Sequence, residues 1–164
     1  MNSDKTSVAG VVQRSDVASD WKRAFAERSA STFANALAED VVLEASILNM
    51  PVVGRDNVTR VMEAASKLYE SLVFTEQASE GRRQYLEWTA RAFNGVNLDG
   101  VTVIIRNERG AIAHVAIHHR PLQGALLFSQ RLGEQLRDVI DPSHFLVASN
   151  PYPQPGPDEH GTRR

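Results

Sequence analysis

Apolar residues recur at steps of three and four in four stretches of the chain, which is the spacing of a helix with one buried face. The first stretch begins at Val17, and Ser29 or Ser31 would cap a short second helix directly after it. Asp56 is the expected N-cap of the third helix, and the fourth follows Pro121. Their apolar residues are Val17, Trp21, Ala24 and Phe25; Phe33, Ala34 and Leu37; Val58, Val61, Met62, Ala65, Leu68 and Tyr69; and Leu122, Ala125, Phe128, Leu132, Leu136 and Val139.

Five further stretches are rich in β-branched and apolar residues, as is typical of strands. They cover residues 41–48, 72–78, 84–93, 100–106 and 111–120. Gly81, the pair Asn94-Gly95 and the turn sequence NERG (107–110) separate the last four, so these connections have hairpin length. The order α-α-β-α-β-β-β-β-α therefore predicts an α+β fold, in which helices cover one face of a curved, mostly antiparallel sheet.

The length and composition are those of one globular domain. The chain has 164 residues, of which 42% are hydrophobic and 23% charged, enough to bury a core without cross-links. Residues 1–14 are small and polar and are expected to form a flexible arm. We expect the domain over 15–140 and a proline-rich tail over 141–164, in which Phe145 and Tyr152 pack locally.

Charge and cysteine content exclude several kinds of function. The formal net charge of −2 gives no electrostatic reason to expect nucleic acid or an anionic membrane as a partner. The absence of cysteine excludes disulfides, thiolate catalysis and cysteine-based zinc sites. The opening sequence MNSDKTSVAG lacks the apolar run of a signal peptide, and no stretch approaches the about 18 apolar residues of a membrane helix. We therefore expect a cytoplasmic protein.

Three stretches of sequence, taken with the element order, resemble a known superfamily. They are FANALAEDVVLEASI, PVVGRDNV and DGVTVIIRNERGAIAHVAIHHRPL. They are similar to the nuclear transport factor 2-like superfamily, and within it to the bacterial SnoaL-like branch, over roughly residues 15–138. The resemblance implies a cone-shaped, cystatin-like α+β roll around an apolar pocket. The superfamily includes isomerases, cyclases, epoxide hydrolases, dehydratases and carriers, so the fold does not select a reaction.

The residues by which related enzymes act are replaced in this chain. In ketosteroid isomerase relatives an acid on the first strand takes the proton and two further donors bind the oxyanion. The resemblance places these three positions at Ala45, Trp21 and, approximately, Thr102. Because a methyl group cannot abstract a proton, that mechanism is not expected. The final-strand aspartate of limonene-epoxide hydrolases falls at about Ile117, and the His–Asp pair of SnoaL cyclases has no clean match.

Strand alternation divides the three histidines of AIAHVAIHHRP (111–121) between two faces of the sheet. The resemblance implies that the face ending in His119 looks into the cone and that the other face is where relatives form a dimer. His114 and His118 lie on that outer face, and we expect no metal there because two imidazoles need a third ligand. The two faces are Ala113, Val115, Ile117 and His119, and His114, Ala116, His118 and Arg120.

The strand YLEWTARAF (85–93) allows two interpretations. In the first, its apolar face belongs to the domain core, and Glu87 is solvated or forms a salt bridge with Arg91. In the second, the apolar face contacts a second subunit, and Tyr85, Glu87 and Thr89 line the pocket. The resemblance favours the second. The two faces are Tyr85, Glu87, Thr89, Arg91 and Phe93, and Leu86, Trp88, Ala90 and Ala92.

These placements give a functional hypothesis. A carboxyl inside an apolar pocket is desolvated and its pKa rises, so Glu87 is the candidate general acid or base, with His119 sharing or relaying the proton. Arg55 is expected to bond to backbone. The expected substrate-binding residues are Trp21, Tyr85, Thr89, Thr102, Ala45, Met50 and Ile117.

The predicted function is that of a homodimeric SnoaL-like isomerase, cyclase or lyase. We expect it to act on a small hydrophobic molecule with no cofactor or metal. The alternative is a non-catalytic protein, either a binder of a small hydrophobic ligand or an accessory dimerisation module. A ligand held against both Glu87 and His119 would favour the enzyme.

Overall fold

The computed structural model describes residues 17–146, so the amino-terminal arm and Tyr152 lie outside the described residues. Four α-helices and six strands follow one another in the α+β order. No helix between residues 17 and 146 is long and apolar enough to cross a membrane. The elements are α1 (Ser19–Glu27), α2 (Ala30–Ala36), β1 (Leu37–Ala45), β2 (Val52–Val53), α3 (Arg55–Leu68), β3 (Tyr69–Glu80), β4 (Arg83–Ala92), β5 (Val96–Arg106), β6 (Ile112–Arg120), α4 (Leu122–Gln135) and a short 3-10 helix (Pro142–His144).

One curved sheet contains all six strands, in the order β2-β1-β6-β5-β4-β3. Neighbouring strands are antiparallel except for β1 and β6, which run parallel. The pairing of β3 with β4 shifts register after Tyr69 and again after Phe74, and such irregularities bend a strand and increase its twist. The bent sheet and the helices enclose the core, which confirms the predicted fold class.

The helices pack on one face of the sheet through the predicted apolar stripes. Trp21, Phe25 and Phe33 form an aromatic cluster with edge-to-face contacts between α1 and α2. In α3 the buried residues include Val58, Val61, Met62 and Ala65, at the expected steps of three and four. The sequence therefore predicted which side of these helices is buried.

Two details at the ends of helices differ from the prediction, and a third agrees with it. Leu37 is the first residue of β1 rather than the last buried residue of α2. Gly54, at φ 94°, is the N-cap of α3, while Asp56 lies in the first turn, where a carboxylate interacts favourably with the helix dipole. Arg55 donates from Nε to the carbonyl oxygen of Leu37 at 3.0 Å, the backbone bond expected of it.

The carboxyl-terminal part of the described chain folds back onto α4. This helix ends at Gln135, so Val139, predicted to be on its buried face, is 44% exposed. Phe145 is buried, and its side chain occupies the space beside Gly133 of α4, where a Cβ would approach it to 2.8 Å. Residues after 140 thus contribute to the core.

An ion pair connects α1 to the β5–β6 hairpin. The guanidinium of Arg106 donates to both carboxylate oxygens of Asp20, at 2.7 and 2.9 Å. Burial alone would raise the pKa of Asp20, but the hydrogen bonds and charge of Arg106 outweigh it and hold that pKa below its usual value. This contact holds the first helix against the end of β5.

Candidate functional site

An apolar cavity lies between the inner face of the sheet and helices α1, α3 and α4. Its walls include Leu43, Met62, Phe128 and Leu132. The space accessible to water is about 20 Å³, room for about one water molecule. A larger molecule would enter only if side chains moved.

Four of the side chains that line this cavity carry a polar atom: Tyr69, Trp88, Thr102 and His119. No carboxylate, lysine or arginine lies among the lining residues in the described part of the chain. Chemistry at this cavity would therefore have to come from neutral groups.

The central polar contact joins Tyr69, the first residue of β3, to His119, near the end of β6. The Tyr69 hydroxyl lies 3.2 Å from Nε2 of His119. Both rings pack against Phe128, with centroid distances of 4.9 and 5.4 Å, and Trp88 meets the imidazole edge-to-face at 5.2 Å. Aromatic walls thus fix the phenol and the imidazole beside each other.

Ser46, the residue after β1, holds the other side of the imidazole. Its Oγ accepts a hydrogen bond from the backbone N–H of His119 at 2.8 Å and lies 3.3 Å from Nδ1 of the ring. The backbone N–H of Ser46 donates to the carbonyl oxygen of Ile117 at 2.9 Å, which fixes the serine beside β6. Ser46 is exposed, so a chain of polar atoms runs from solvent through His119 to Tyr69.

The enclosure of these two rings keeps both of them neutral at pH 7. Desolvation, with a smaller contribution from the charge of His118, lowers the pKa of His119 to about 4. Burial raises the pKa of Tyr69 above its usual value. The imidazole has two nitrogens in contact with hydroxyls, so its proton can lie on either nitrogen while the rings stay uncharged.

A glycine in β5 makes room for the aromatic wall. Gly100 pairs with Trp88 on one side and with His119 on the other. A Cβ at this position would lie 2.2 Å from Cζ2 of Trp88 and 2.4 Å from the carbonyl oxygen of His118. The indole therefore lies across the glycine and donates from Nε1 to Oγ1 of Thr102 at 3.1 Å. Because Oγ1 accepts there, the Thr102 O–H is available as a donor.

The structure places four of the predicted site residues at this cavity. His119, Thr102, Ala45 and Ile117 all line it. In β6 the alternation of side chains, together with the resemblance that indicated the inner face, therefore assigned the inward imidazole correctly.

The preferred interpretation of β4 is wrong. Leu86, Trp88, Ala90 and Ala92 are buried in the core, whereas Glu87 and Thr89 are exposed and Tyr85 is half-buried on the opposite face. The large apolar side chains of an amphipathic strand face the interior, and the charged ones face water. Glu87 therefore lacks the apolar surroundings on which its predicted role depended.

Two other predicted binding residues are also elsewhere. Met50 is 42% exposed and lies outside the lining of the cavity. Trp21 is fully buried, but it packs against Phe25 and Phe33 rather than lining the cavity. An aromatic residue at helical spacing serves here as core.

The other two strand histidines lie on the outer face. His114 contacts Glu44 of β1, with Nε2 and Oε2 2.9 Å apart, and His118 is exposed. Within residues 17–146 no group of three histidine, aspartate or glutamate side chains is arranged to hold a metal ion.

Tyr69 and Ser46 were not predicted as polar site residues. Tyr69 is separated from His119 by 50 residues, and its helical spacing with Met62 and Ala65 indicated only packing. Ser46 was within a predicted strand, whereas it lies just beyond the end of β1. No local motif marks either residue.

The family assignment comes from a match to most of the sequence rather than from a local motif. The model of the SnoaL-like domain family matches residues 18–115. The chain belongs to the SnoaL-like domain family. The match ends before His119, so the family assignment gives that imidazole no role. No curated protein sequence matches this chain.

Solved structures share the fold of this SnoaL-like domain. A bacterial protein with a cystatin-like fold from Silicibacter pomeroyi is 21% identical, with a TM-score of 0.68, over 74% of this chain and 87% of its own. A steroid delta-isomerase from Pseudomonas aeruginosa is 23% identical, with a TM-score of 0.67, over 72% and 87%. A nuclear transport factor 2-like protein of unknown function from Mesorhizobium loti is 16% identical, with a TM-score of 0.56, over 62% and 85%. At these identities the likeness establishes the fold alone.

Proposed function

We propose that this SnoaL-like protein is a cofactor-independent enzyme that moves a proton within a small hydrophobic carbonyl compound. Reactions of this kind include those of isomerases, cyclases and lyases. The observation that carries the proposal is the 3.2 Å contact between the Tyr69 hydroxyl and Nε2 of His119 at the wall of an apolar cavity. The fold shared with a steroid delta-isomerase supports the same reaction class.

The two side chains have complementary roles in this proposal. The Tyr69 O–H turns from His119 to the carbonyl oxygen of the substrate, and Nε2 of His119 accepts a proton from the neighbouring carbon. The C–H electron pair moves into an enolate, whose oxygen Tyr69 stabilises. In a β,γ-unsaturated substrate this enolate is a dienolate, and the imidazolium returns the proton to its γ carbon while the double bond moves to the α,β position, so no oxidant or further reactant is needed.

The neutral resting state suits this chemistry. With a pKa of about 4, His119 has a free lone pair at pH 7. The enolate and the imidazolium form together in a site of low polarity, where opposite charges attract strongly. Ser46 at Nδ1 stabilises the charged ring.

Exchange of substrate protons with solvent deuterium tests the proposal. Hydrophobic ketones are incubated with the protein in deuterium oxide, and incorporation beside the carbonyl is followed by mass spectrometry. We expect His119→Gln and Tyr69→Phe to lower the exchange rate by about 100-fold. The matched control is His118→Gln, which removes the adjacent imidazole on the outer face and leaves the rate unchanged. Equal rates in the wild type and His119→Gln would contradict the proposal.

The second candidate is a non-catalytic protein that binds a small hydrophobic ligand. It is favoured by the lack of a carboxylate among the described lining residues of the cavity. Binding of ketones without any exchange that depends on His119 would support it.

A second copy of this chain is the partner proposed for the outer face of the sheet. Val101, Val103 and Ile105 of β5 are half-buried there, where no described helix covers them. Relatives of the resembled branch dimerise through this face, which supports the assignment.

A further inference from the structure

A surface groove lies on the far side of one wall of the cavity. It has a volume of about 230 Å³ and is bordered by α1, α3 and β3. Phe25, Tyr69, Leu72 and Phe74 line both the groove and the cavity. Side chains thus form a partition between the outside and the His119–Tyr69 pair.

This partition is less confined than the core beside it. Phe25, Leu72 and Phe74 are only partly buried, whereas Trp21 and Phe33 have no exposed surface. Rotation of a partly exposed side chain leaves fewer packing contacts behind than rotation in the core. Movement of these three side chains would join the groove and the cavity into one channel.

The guanidinium of Arg28 borders the groove. It donates from Nη2 to the backbone carbonyl oxygen of Tyr69 at 2.9 Å. Among the lining residues that the structure describes there is no aspartate or glutamate. The groove therefore attracts an anion, while the cavity behind it excludes one.

Arg28 in the groove and His119 in the cavity both contact Tyr69. The guanidinium of Arg28 lies against the backbone of Tyr69 outside the cavity, and the hydroxyl of that residue meets His119 inside. A molecule with its charge at Arg28 would reach the imidazole about one tyrosine side chain further in.

We propose that groove and cavity together bind a hydrophobic carboxylic acid. Its carboxylate lies beside Arg28, and its apolar part displaces Phe25, Leu72 and Phe74 to reach His119 and Tyr69. The inference deepens the proposed function by naming the substrate class, and it rests on that function for the role of the inner end.

Calorimetric titration with decanoate and decan-1-ol tests the charge preference, because the two probes share an apolar chain. We expect the wild type to bind decanoate about tenfold more tightly, and Arg28→Gln to bind both probes alike with unchanged affinity for the alcohol. The matched control is Arg23→Gln, which removes an equal charge from an α1 residue that is paired with Glu27 and does not line the groove. This control should keep the tenfold preference.

Fluorescence quenching tests where the chain lies. The protein has two tryptophans, so Trp88 at the cavity wall is the sole one in Trp21→Phe. We expect 10-bromodecanoate to quench Trp88 in that variant, because its bromine enters the cavity.

Several outcomes would overturn the inference. They are equal affinity of the wild type for decanoate and decan-1-ol, an equal loss in Arg28→Gln and Arg23→Gln, no binding of either probe, or binding without quenching. None of these results changes the outcome of the deuterium-exchange experiment with ketones, which tests His119. The proposed function and the substrate class can therefore fail separately.

Discussion

The two faces of β6 carry the same kind of side chain in opposite surroundings. His119 faces inward and is enclosed by aromatic rings, and its pKa is lowered to about 4. His114, five residues earlier, faces outward and contacts Glu44, while His118 is exposed. Pleating separates these environments by one residue, so the chemistry of an imidazole here depends on its place in the alternation.

The comparison also holds for β4. Trp88 faces inward beside His119, and the carboxylate of Glu87, the preceding residue, faces water. In β4 the inner face is apolar and the charged side chains lie on the outer face. The following predictions test this division.

The largest effect should be the pH dependence that His119 gives to stability. The unfolded chain binds a proton at His119 near pH 6.5, and the folded chain only near pH 4. Stability is therefore lost as the pH falls from 6.5 to 4, by about 3 kcal/mol. Urea unfolding measured from pH 7 to pH 4 should show this loss in the wild type and not in His119→Gln.

Asp20 also loses its contribution to stability as the pH falls, in the wild type and in His119→Gln alike. The difference between the two pH dependences therefore measures the contribution of the imidazole. His118→Gln is the matched outer-face control and should retain most of the loss. An equal pH slope in the wild type and His119→Gln would contradict the assigned enclosure.

The next effect should follow from one added methyl group on the inner face. Gly100→Ala would force Trp88 away from its place and should lower the free energy of unfolding by 2–3 kcal/mol. On the outer face, Ser71→Thr adds one methyl group to an exposed residue of the edge strand β3 and should change it by less than about 0.5 kcal/mol. Thermal unfolding measures both, and similar melting temperatures for the two variants would contradict the comparison.

A charge placed on the outer face should act on association rather than folding. Val103→Arg should weaken the proposed dimer by about 2 kcal/mol, because an unpaired charge would be buried between the two copies. Sedimentation velocity should give a dimer for the wild type and a monomer for the variant, with unchanged circular dichroism. A monomeric wild type would remove the proposed partner.

The smallest effect should come from Glu87. Glu87→Gln alters an exposed side chain and should change the free energy of unfolding by less than about 0.5 kcal/mol. Deuterium exchange into ketones should also be unchanged. A loss of exchange in this variant would restore the carboxylate as a reacting group.

The sequence was sufficient to predict the four helices, five of the six strands of the described chain and the fold class, and with the resemblance it indicated the inward position of His119. Helical spacing identified the buried sides of α1 and α3, and alternation separated His119 from His118. In β4 the alternation allowed both faces to be the buried one, and the resemblance favoured the wrong face. A strand with one buried face ordinarily buries its large apolar side chains, here Leu86 and Trp88, and exposes its charged ones, here Glu87 and Arg91.

The candidate site itself could not be predicted, because its contacts join distant residues. Ser46 and Tyr69 meet His119 across 73 and 50 residues, and periodicity describes only neighbours. The two-residue strand β2 was also missed, since residues 51–54 were predicted to form a turn. The contacts of His119 and the strand β2 both depend on how distant segments of the chain meet, which the pattern of buried and exposed residues does not show.

The parallel pairing of β1 with β6 has a consequence for folding. It brings together the first and the last strand of the sheet in chain order, and with them Ser46 and His119, so it closes the longest loop in the sheet. The conformational entropy of that closure is overcome only by the completed core. A nascent chain that stops before β6 contains a serine and a tyrosine without their imidazole. The hydrogen-bonded ring of His119 is thus a spectroscopic marker of the finished fold.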